Sequence, residues 1–177
     1  MKKALFLLFL GLMGISTVFA QTGHELFMNG KIKPTTAGNM NSWMLGGNTF
    51  STNTTDDFNS WHFSTLGQDG EIHTSQNDDW SAWQVDGLDI EAHLTTAGNY
   101  NSWTITGEGV NVTLFTTNWN TWALTGGVVS GISTTTTEDL EEWAINGGNW
   151  MQLSPSYRTM LIFMPVFTSA IYKQILE

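Results

Sequence analysis

The most specific polar pattern in the sequence is a Glu-x-His unit that occurs twice. Glu71 and His73 form the first unit, and Glu91 and His93 form the second, twenty residues further along the chain. Imidazole nitrogens and carboxylate oxygens are ligands for zinc and copper ions. The four residues are therefore candidate metal ligands if the fold places the units side by side. Cross-strand pairing of charged side chains is the alternative, and it requires no metal.

Pairs of acidic residues near predicted turns are a second candidate site, because carboxylates are hard oxygen ligands that suit calcium. No spaced calcium-loop signature accompanies them, so we interpret them as solvated turn residues. The pairs are Asp56-Asp57, Asp78-Asp79, Glu138-Asp139 and Glu141-Glu142.

Aromatic residues provide a third candidate site. Trp80, Tyr100 and Trp119 each precede a recurrent Trp by three positions, and we expect them to be exposed enough to bind a ligand such as a carbohydrate. Thr-rich stretches suggest a second surface ligand, ice, which would bind to a flat ladder of Thr side chains. Both ligands would be held at the surface of the protein.

Catalytic groups are hard to find in this chain. It contains no Cys, its four His are His24, His62, His73 and His93, and no Ser lies in a nucleophile-elbow motif. Nucleophilic and acid–base catalysis both need a positioned group with an orienting partner. The sequence therefore predicts neither an enzyme nor a cofactor.

Charge is distributed one-sidedly, with a formal net charge of −10. No Lys or Arg occurs between Lys33 and Arg158, whereas fourteen of the sixteen acidic residues lie in that stretch. Nucleic acid is a poor partner for such a chain, because phosphate binding depends on Lys and Arg.

The elements that position these residues are imperfect repeats of about twenty residues. A Trp recurs at intervals of 18 to 22 residues, followed two positions later by an apolar residue and then usually by Gly. Trp and that apolar residue share one face of an extended strand, which we call strand A. A second alternating segment, strand B, follows the Gly. The predicted repeat core consists of Leu26, in a degenerate first copy, and of Trp43, Trp61, Trp83, Trp103, Trp122 and Trp143.

Seven copies of this two-strand unit predict an all-β repeat protein. A β-solenoid, with one copy per coil, is favoured because stacking rewards like residues at equivalent positions. An antiparallel meander or barrel, with one hairpin per copy, is the alternative.

Segments outside the repeats complete the predicted organisation. Residues 1–20 combine Lys2 and Lys3, an apolar run and a small-residue cleavage site, which is typical of a secretory signal peptide. The repeat domain spans 21–153. Within the C-terminal segment 154–177, the apolar run from Met160 to Tyr172 is too short for a membrane span and contains Pro165, so we expect the segment to be a cap over the last coil or an assembly segment.

The repeat resembles the curlin repeats of curli subunits. The segments Asn101-Ser102-Trp103-Thr104-Ile105-Thr106-Gly107 and Asn111-Val112-Thr113-Leu114 carry this resemblance. It implies a secreted bacterial β-solenoid that stacks end to end into amyloid-like surface fibres of the kind found in biofilms.

These features together predict a secreted or cell-surface protein that acts by contact. The favoured function is a structural or adhesive, self-associating fibre subunit, because solenoid ends expose strand edges. The alternative is a monomeric extracellular binding module for carbohydrate, ice or a cation. Expected partners are further copies of the chain, a surface glycan or the export machinery, with no nucleic acid and no membrane span in the mature chain.

Overall fold

The computed structural model describes residues 31–45, 48–65, 67–125, 131–136, 139–146 and 153–176. The signal-peptide region 1–20 and Leu26 lie outside these residues. Within them the repeats form twelve β-strands, which are β1 Lys31–Pro34, β2 Ser42–Leu45, β3 Asn48–Thr52, β4 Ser60–Thr65, β5 Gln68–Gln76, β6 Asp79–Val85, β7 Ile90–Leu94, β8 Ser102–Gly107, β9 Val110–Thr116, β10 Thr121–Thr125, β11 Gly131–Thr134 and β12 Trp143–Asn146.

The strands form a closed antiparallel barrel. Each strand pairs with its neighbours in sequence, and β12 pairs with β1 to complete the ring. The prediction of a β-solenoid is therefore wrong, and so is the solenoid that the curlin resemblance implies. The antiparallel barrel that was the alternative is the observed architecture.

Short turns explain why each repeat is a hairpin rather than a coil. Glu108 and Gly109 alone connect β8 to β9, and both have positive φ, at 53° and 76°. Two-residue turns of this handedness match the twist of an antiparallel pair, whereas parallel neighbours need a much longer crossover. Likeness between repeats arises here because each hairpin occupies an equivalent place around the barrel axis.

The first and last strands of the barrel do not belong to the same repeat. β1 is strand B of the first copy, and β12 is strand A of the seventh copy. Their pairing, with Ile32 opposite Trp143, therefore makes a sixth A–B pair from two strands that are far apart in the sequence. We call this pairing of β1 with β12 the seam.

Strand side chains alternate between the lumen and the outer surface. In β4, for example, Trp61, Phe63 and Thr65 are buried and His62 and Ser64 are exposed. The six Trp residues predicted to form the repeat core within the described chain are all fully buried, namely Trp43, Trp61, Trp83, Trp103, Trp122 and Trp143.

The C-terminal segment lies inside the barrel, not over one end as a cap. Ser154 caps a helix, α1, that spans Pro155–Val166, and π-helical turns continue it from Phe167 to Leu176. Every residue from Ser156 to Ile171 is buried. We call this continuous element the lumen helix. Among the described residues, no helix has the length and apolar character to cross a bilayer.

A change of helix type follows a proline within the lumen helix. Pro165 has no N–H to donate to the carbonyl four residues earlier, so the α-helical ladder is interrupted there. Wider π-helical turns begin at Phe167, and the Thr168 hydroxyl donates to the Met164 carbonyl at 2.7 Å. Interrupted ladders of this kind commonly shift to such turns.

Phe163 is at the centre of the contact between the lumen helix and the strands. Its ring centroid lies 6.0 Å from that of Phe50, 5.4 Å from Trp61 and 5.1 Å from Trp83, in edge-to-face arrangements. Strands β3, β4 and β6 therefore pack on a single helical side chain.

Replacing Phe163 tests this packing. Phe163→Ala should lower the free energy of unfolding by about 3–5 kcal/mol, because it leaves a cavity among buried rings. Ser64→Ala, on the outer face of β4, should change it by less than about 0.5 kcal/mol. Urea unfolding followed by Trp fluorescence measures both, and equal midpoints for the two variants would contradict the placement of the helix.

Candidate functional site

Six connections between strands lie at one end of the barrel, which we call the loop end. They are residues 35–41, 53–59, 77–78, 95–101, 117–120 and 135–142. Near each one, an Asn or Asp side chain accepts a hydrogen bond at 3.0–3.1 Å from the N–H two residues further on. This Asx turn explains the recurrent Asn or Asp of the repeat. The acceptors are Asn39, Asp57, Asp79, Asn99, Asn118 and Asp139.

Each Asx turn is followed by a bulky apolar residue that packs against the core. In four repeats the backbone carbonyl of this residue accepts a hydrogen bond from the indole N–H of the buried Trp three positions later, at 2.7–3.1 Å. Trp122 instead donates to the Ser169 hydroxyl of the lumen helix at 2.9 Å. The four bonded pairs are Trp43 with Met40, Trp61 with Phe58, Trp83 with Trp80 and Trp143 with Leu140.

One sector of the loop end departs from this pattern. Across the described part of the chain, three buried polar side-chain atoms lack a hydrogen-bond partner: Nε1 of Trp80, Oδ1 of Asn101 and Nε1 of Trp103. Each unpaired buried group costs about 1–3 kcal/mol. All three belong to the segment that runs from β6 to the start of β8. A departure concentrated in one place calls for a local explanation.

A different turn geometry in the next connection accounts for the unpaired oxygen of Asn101. Its equivalent in the second repeat, Asn59, accepts the N–H of Asp78 in the next connection at 2.9 Å, and Asn41 likewise accepts that of Asp56 at 2.7 Å. In the connection after Asn101, residues 117–120, the residue with positive φ is Trp119, which follows the Asx acceptor, whereas Asp56 and Asp78 precede theirs. The Thr116 N–H donates to the Asn101 carbonyl at 2.9 Å, but no backbone N–H of this connection reaches Asn101 Oδ1.

Aromatic rings surround the same sector. Tyr100 stacks on Tyr172 of the lumen helix, with centroids 3.8 Å apart and planes at 15°. Trp80 meets Tyr172 edge-on at 6.2 Å, and Tyr100 meets Trp103 edge-on at 5.9 Å. We call Trp80, Tyr100, Trp103 and Tyr172 the Tyr100 cluster. Trp80 and Tyr100 are only partly exposed, because each also packs against the core.

Trp119, the third residue predicted for surface binding, lies outside this cluster. Its ring packs edge-on against Trp122 at 6.4 Å, and Lys173 Nζ lies 5.4 Å from its centroid. Trp119 has a positive φ of 62°, consistent with the short connection that contains it. The structure therefore brings Trp80 and Tyr100 together and places Trp119 in the neighbouring sector.

Electrostatics at the Tyr100 cluster keep the phenol of Tyr100 neutral and the nearby carboxylate of Asp79 charged. Burial, followed by the charge and hydrogen bond of Tyr172, raises the pKa of Tyr100 to about 12. Hydrogen bonds from the side chain and backbone of Ser81 lower the pKa of Asp79. At neutral pH the cluster therefore offers a phenol beside an exposed carboxylate.

The two Glu-x-His units are not brought together. Glu71 and His73 lie on β5, Glu91 and His93 lie on β7, and β6 separates them. His93 Nε2 contacts Glu91 at 2.8 Å, whereas His73 Nε2 contacts the Gln84 amide at 3.3 Å. Within the described ranges, no group of three or more His, Asp and Glu residues is arranged to hold a metal ion.

Two of the acidic pairs supply structural turn residues. Asp56 and Asp78 have positive φ, at 63° and 60°, and their carboxylates accept bonds at 3.0 Å from the amide groups of Asn41 and Asn59. Asp and Asn tolerate this backbone region better than most residues. Their side chains therefore join neighbouring loops around the ring. Glu138 lies outside the described residues.

The role of Tyr172 and the unpaired polar atoms were not predicted from the sequence. Tyr172 lies outside the repeats, and nothing in its sequence context indicates that it stacks on Tyr100. A usable signal was Thr117, which precedes the Asx acceptor in connection 117–120, whereas Gly or Asp precedes four of the other acceptors, at positions 38, 56, 78 and 98.

The sequence matches no protein-family model, and comparisons with curated proteins and with solved structures find no match.

Tyr100 should titrate late. Because its folded-state pKa of about 12 lies above the ordinary 10.0, the folded state holds the proton more tightly. This contribution to stability is complete below pH 10 and is lost as pH rises from 10 to 12. Tyrosine-ring NMR against pH measures the pKa, and Tyr172→Phe should lower it. Ionisation of Tyr100 at the ordinary value in the native chain would contradict the stacked geometry.

Proposed function

We propose that the protein is a secreted carbohydrate-binding module that acts by surface contact, with the Tyr100 cluster at the loop end as its binding site. The observation that carries the proposal is the concentration of unpaired polar atoms in that one sector. Nε1 of Trp80 and of Trp103 are donors, and Oδ1 of Asn101 is an acceptor. A ligand, or water carried with it, that satisfies these groups recovers the free energy that their burial costs.

Sugar chemistry suits this combination of groups. A hydroxyl group both donates and accepts hydrogen bonds, so it matches a set that contains indole donors and an amide acceptor. The partly exposed rings of Trp80 and Tyr100 offer apolar surface next to them, and Asp79 offers a charged acceptor. Binding sites commonly combine aromatic walls with a few polar groups in this way. The acidic chain disfavours anionic ligands, so a neutral sugar is the expected class.

Access to the site depends on the partly exposed side chains. The unpaired atoms themselves are buried beneath the cluster surface, so a ligand reaches them as Trp80 and Tyr100 change their orientation. Such a movement breaks no hydrogen bond of Trp80 Nε1 or Asn101 Oδ1, because these atoms have no partner. Ligand binding should then order the cluster.

A fibre subunit that grows through strand edges receives no support from this fold. Every described strand has two hydrogen-bonded neighbours in the closed ring, whereas edge-to-edge growth needs an unpaired strand. A flat Thr ladder for ice is also not favoured, because Thr35, Thr54 and Thr95 lie in or beside connections arranged around a ring.

Binding of neutral glycans to the mature chain, residues 21–177, tests the proposal. Titration with a panel of neutral oligosaccharides, followed by calorimetry and Trp fluorescence, should give saturable binding. Trp80→Ala should weaken that binding at least tenfold, or about 1.4 kcal/mol, because it removes a ring and a donor.

Trp119→Ala is the matched control, because Trp119 holds the equivalent position two repeats further on and is also partly buried. It should leave the affinity within about twofold, a change worth only a few tenths of a kcal/mol. Absence of saturable binding to any glycan, or equal losses in the two variants, would refute the proposed site. Urea midpoints of both variants exclude unfolding as the cause.

A further inference from the structure

The seam is the one junction of an A and a B strand in the barrel that no turn connects. Among the described residues, which begin at Lys31, the registered pairs of the seam are Lys31 with Ala144 and Ile32 with Trp143. The equivalent pairing of β10 with β11 extends from Thr121 to Ala123. Closure of the ring therefore depends on a pairing between residues more than a hundred positions apart.

The register of the seam is the same as in the continuous hairpins. Trp143 lies opposite Ile32, as Trp122 lies opposite Ile132 and Trp61 opposite Ile72. Because the repeats are equivalent, β1 recognises a strand A by its Trp and its pairing, not by a covalent link. A β12 strand from another copy of the chain presents the same features.

Charge directs β12 to β1. Lys31 Nζ lies 2.7 Å from Glu142 Oε1, and Glu141 Oε2 accepts the N–H of Gly38 at 3.3 Å. Lys31 and Lys33 are the last basic residues before Arg158, so the β1 side of the seam is the basic surface on an otherwise acidic set of strands. These charges are exposed, which makes the attraction sensitive to salt.

Packing beside the seam is incomplete. A groove of about 350 Å³ opens beside the seam, with Lys33 and Met44 on the β1 side and Asp139 and Glu142 on the β12 side. A strand can therefore leave or join this edge without displacing tightly packed side chains from the outer surface.

We propose that two copies of this chain exchange β12 and the lumen helix across their seams to form a closed dimer. Each β1 then pairs with the partner's β12, and each barrel encloses the partner's helix. The exchanged contacts are the same as those within one copy, so the equilibrium depends on concentration and on the β11–β12 connection, residues 135–142. This inference is independent of the proposed ligand. If the ligand site is correct, the dimer presents two loop ends and binds multivalent surfaces with avidity.

Disulfide trapping tests the exchange, because the native chain contains no Cys. Lys31→Cys combined with Ala144→Cys places two thiols at paired positions of the seam. The variant is unfolded in urea, refolded at low and at high protein concentration, and oxidised. Low concentration should give a disulfide within one chain, and high concentration should give disulfide-linked dimers.

Thr104→Cys combined with Thr113→Cys is the matched control, because these residues pair within the continuous β8–β9 hairpin. This variant should form disulfides only within one chain at every concentration. Light scattering on the wild-type chain, refolded in the same series, should show the mass double as concentration rises. Disulfides only within one chain in the seam variant, together with a constant wild-type mass, would overturn the exchange.

Discussion

Filling the lumen is the constraint on which the rest of the structure depends. Eight strands already enclose an interior that side chains just fill, so a ring of twelve encloses more space than its own inward residues occupy. Six Trp residues take up part of that space, and the lumen helix takes up the remainder, with its α1 residues buried on all sides from Ser156 onward. An empty lumen would forfeit the dispersion contacts of these rings.

Polar groups inside the barrel fix the depth and rotation of the helix. The Tyr157 hydroxyl donates to the Ile105 carbonyl at 2.8 Å, Ser169 accepts the Trp122 indole N–H, and Thr159 pairs with Thr65 at 2.6 Å. In a low-dielectric interior each of these bonds is costly to break. The helix is thus held in register with particular strands, and that register brings Tyr172 against Tyr100 at the loop end.

The repeat and the inward or outward direction of its side chains could be predicted from the sequence, but the arrangement of the repeats could not. Alternation around each Trp identified strand A, strand B and the buried face, because side-chain direction depends only on the local backbone. Like residues at equivalent positions suit a solenoid and a closed ring equally, so they did not decide between them. The two-residue turn at Glu108 and Gly109 was the local signal for hairpins. Nothing local indicated that the segment after Ser154 enters the barrel, since that depends on the size of the lumen.

The candidate site arises where the ring departs from its own symmetry. Connections 53–59 and 77–78 each donate a backbone N–H to the Asn side chain of the preceding loop, but connection 117–120 leaves Asn101 Oδ1 without a partner. Stability and ligand binding are opposed there, because the groups left unpaired are the ones available to a ligand. Proteins commonly carry such departures at functional sites.

Removal of the lumen helix tests the central claim most directly. A chain that ends at Leu153 is compared with one that ends at Lys173, which keeps the buried part of the helix. If the helix fills the lumen, the shorter chain loses the near-ultraviolet circular dichroism of its packed Trp rings and its cooperative urea unfolding, while the longer chain keeps both. Cooperative unfolding and an unchanged Trp signal in the chain that ends at Leu153 would contradict the account.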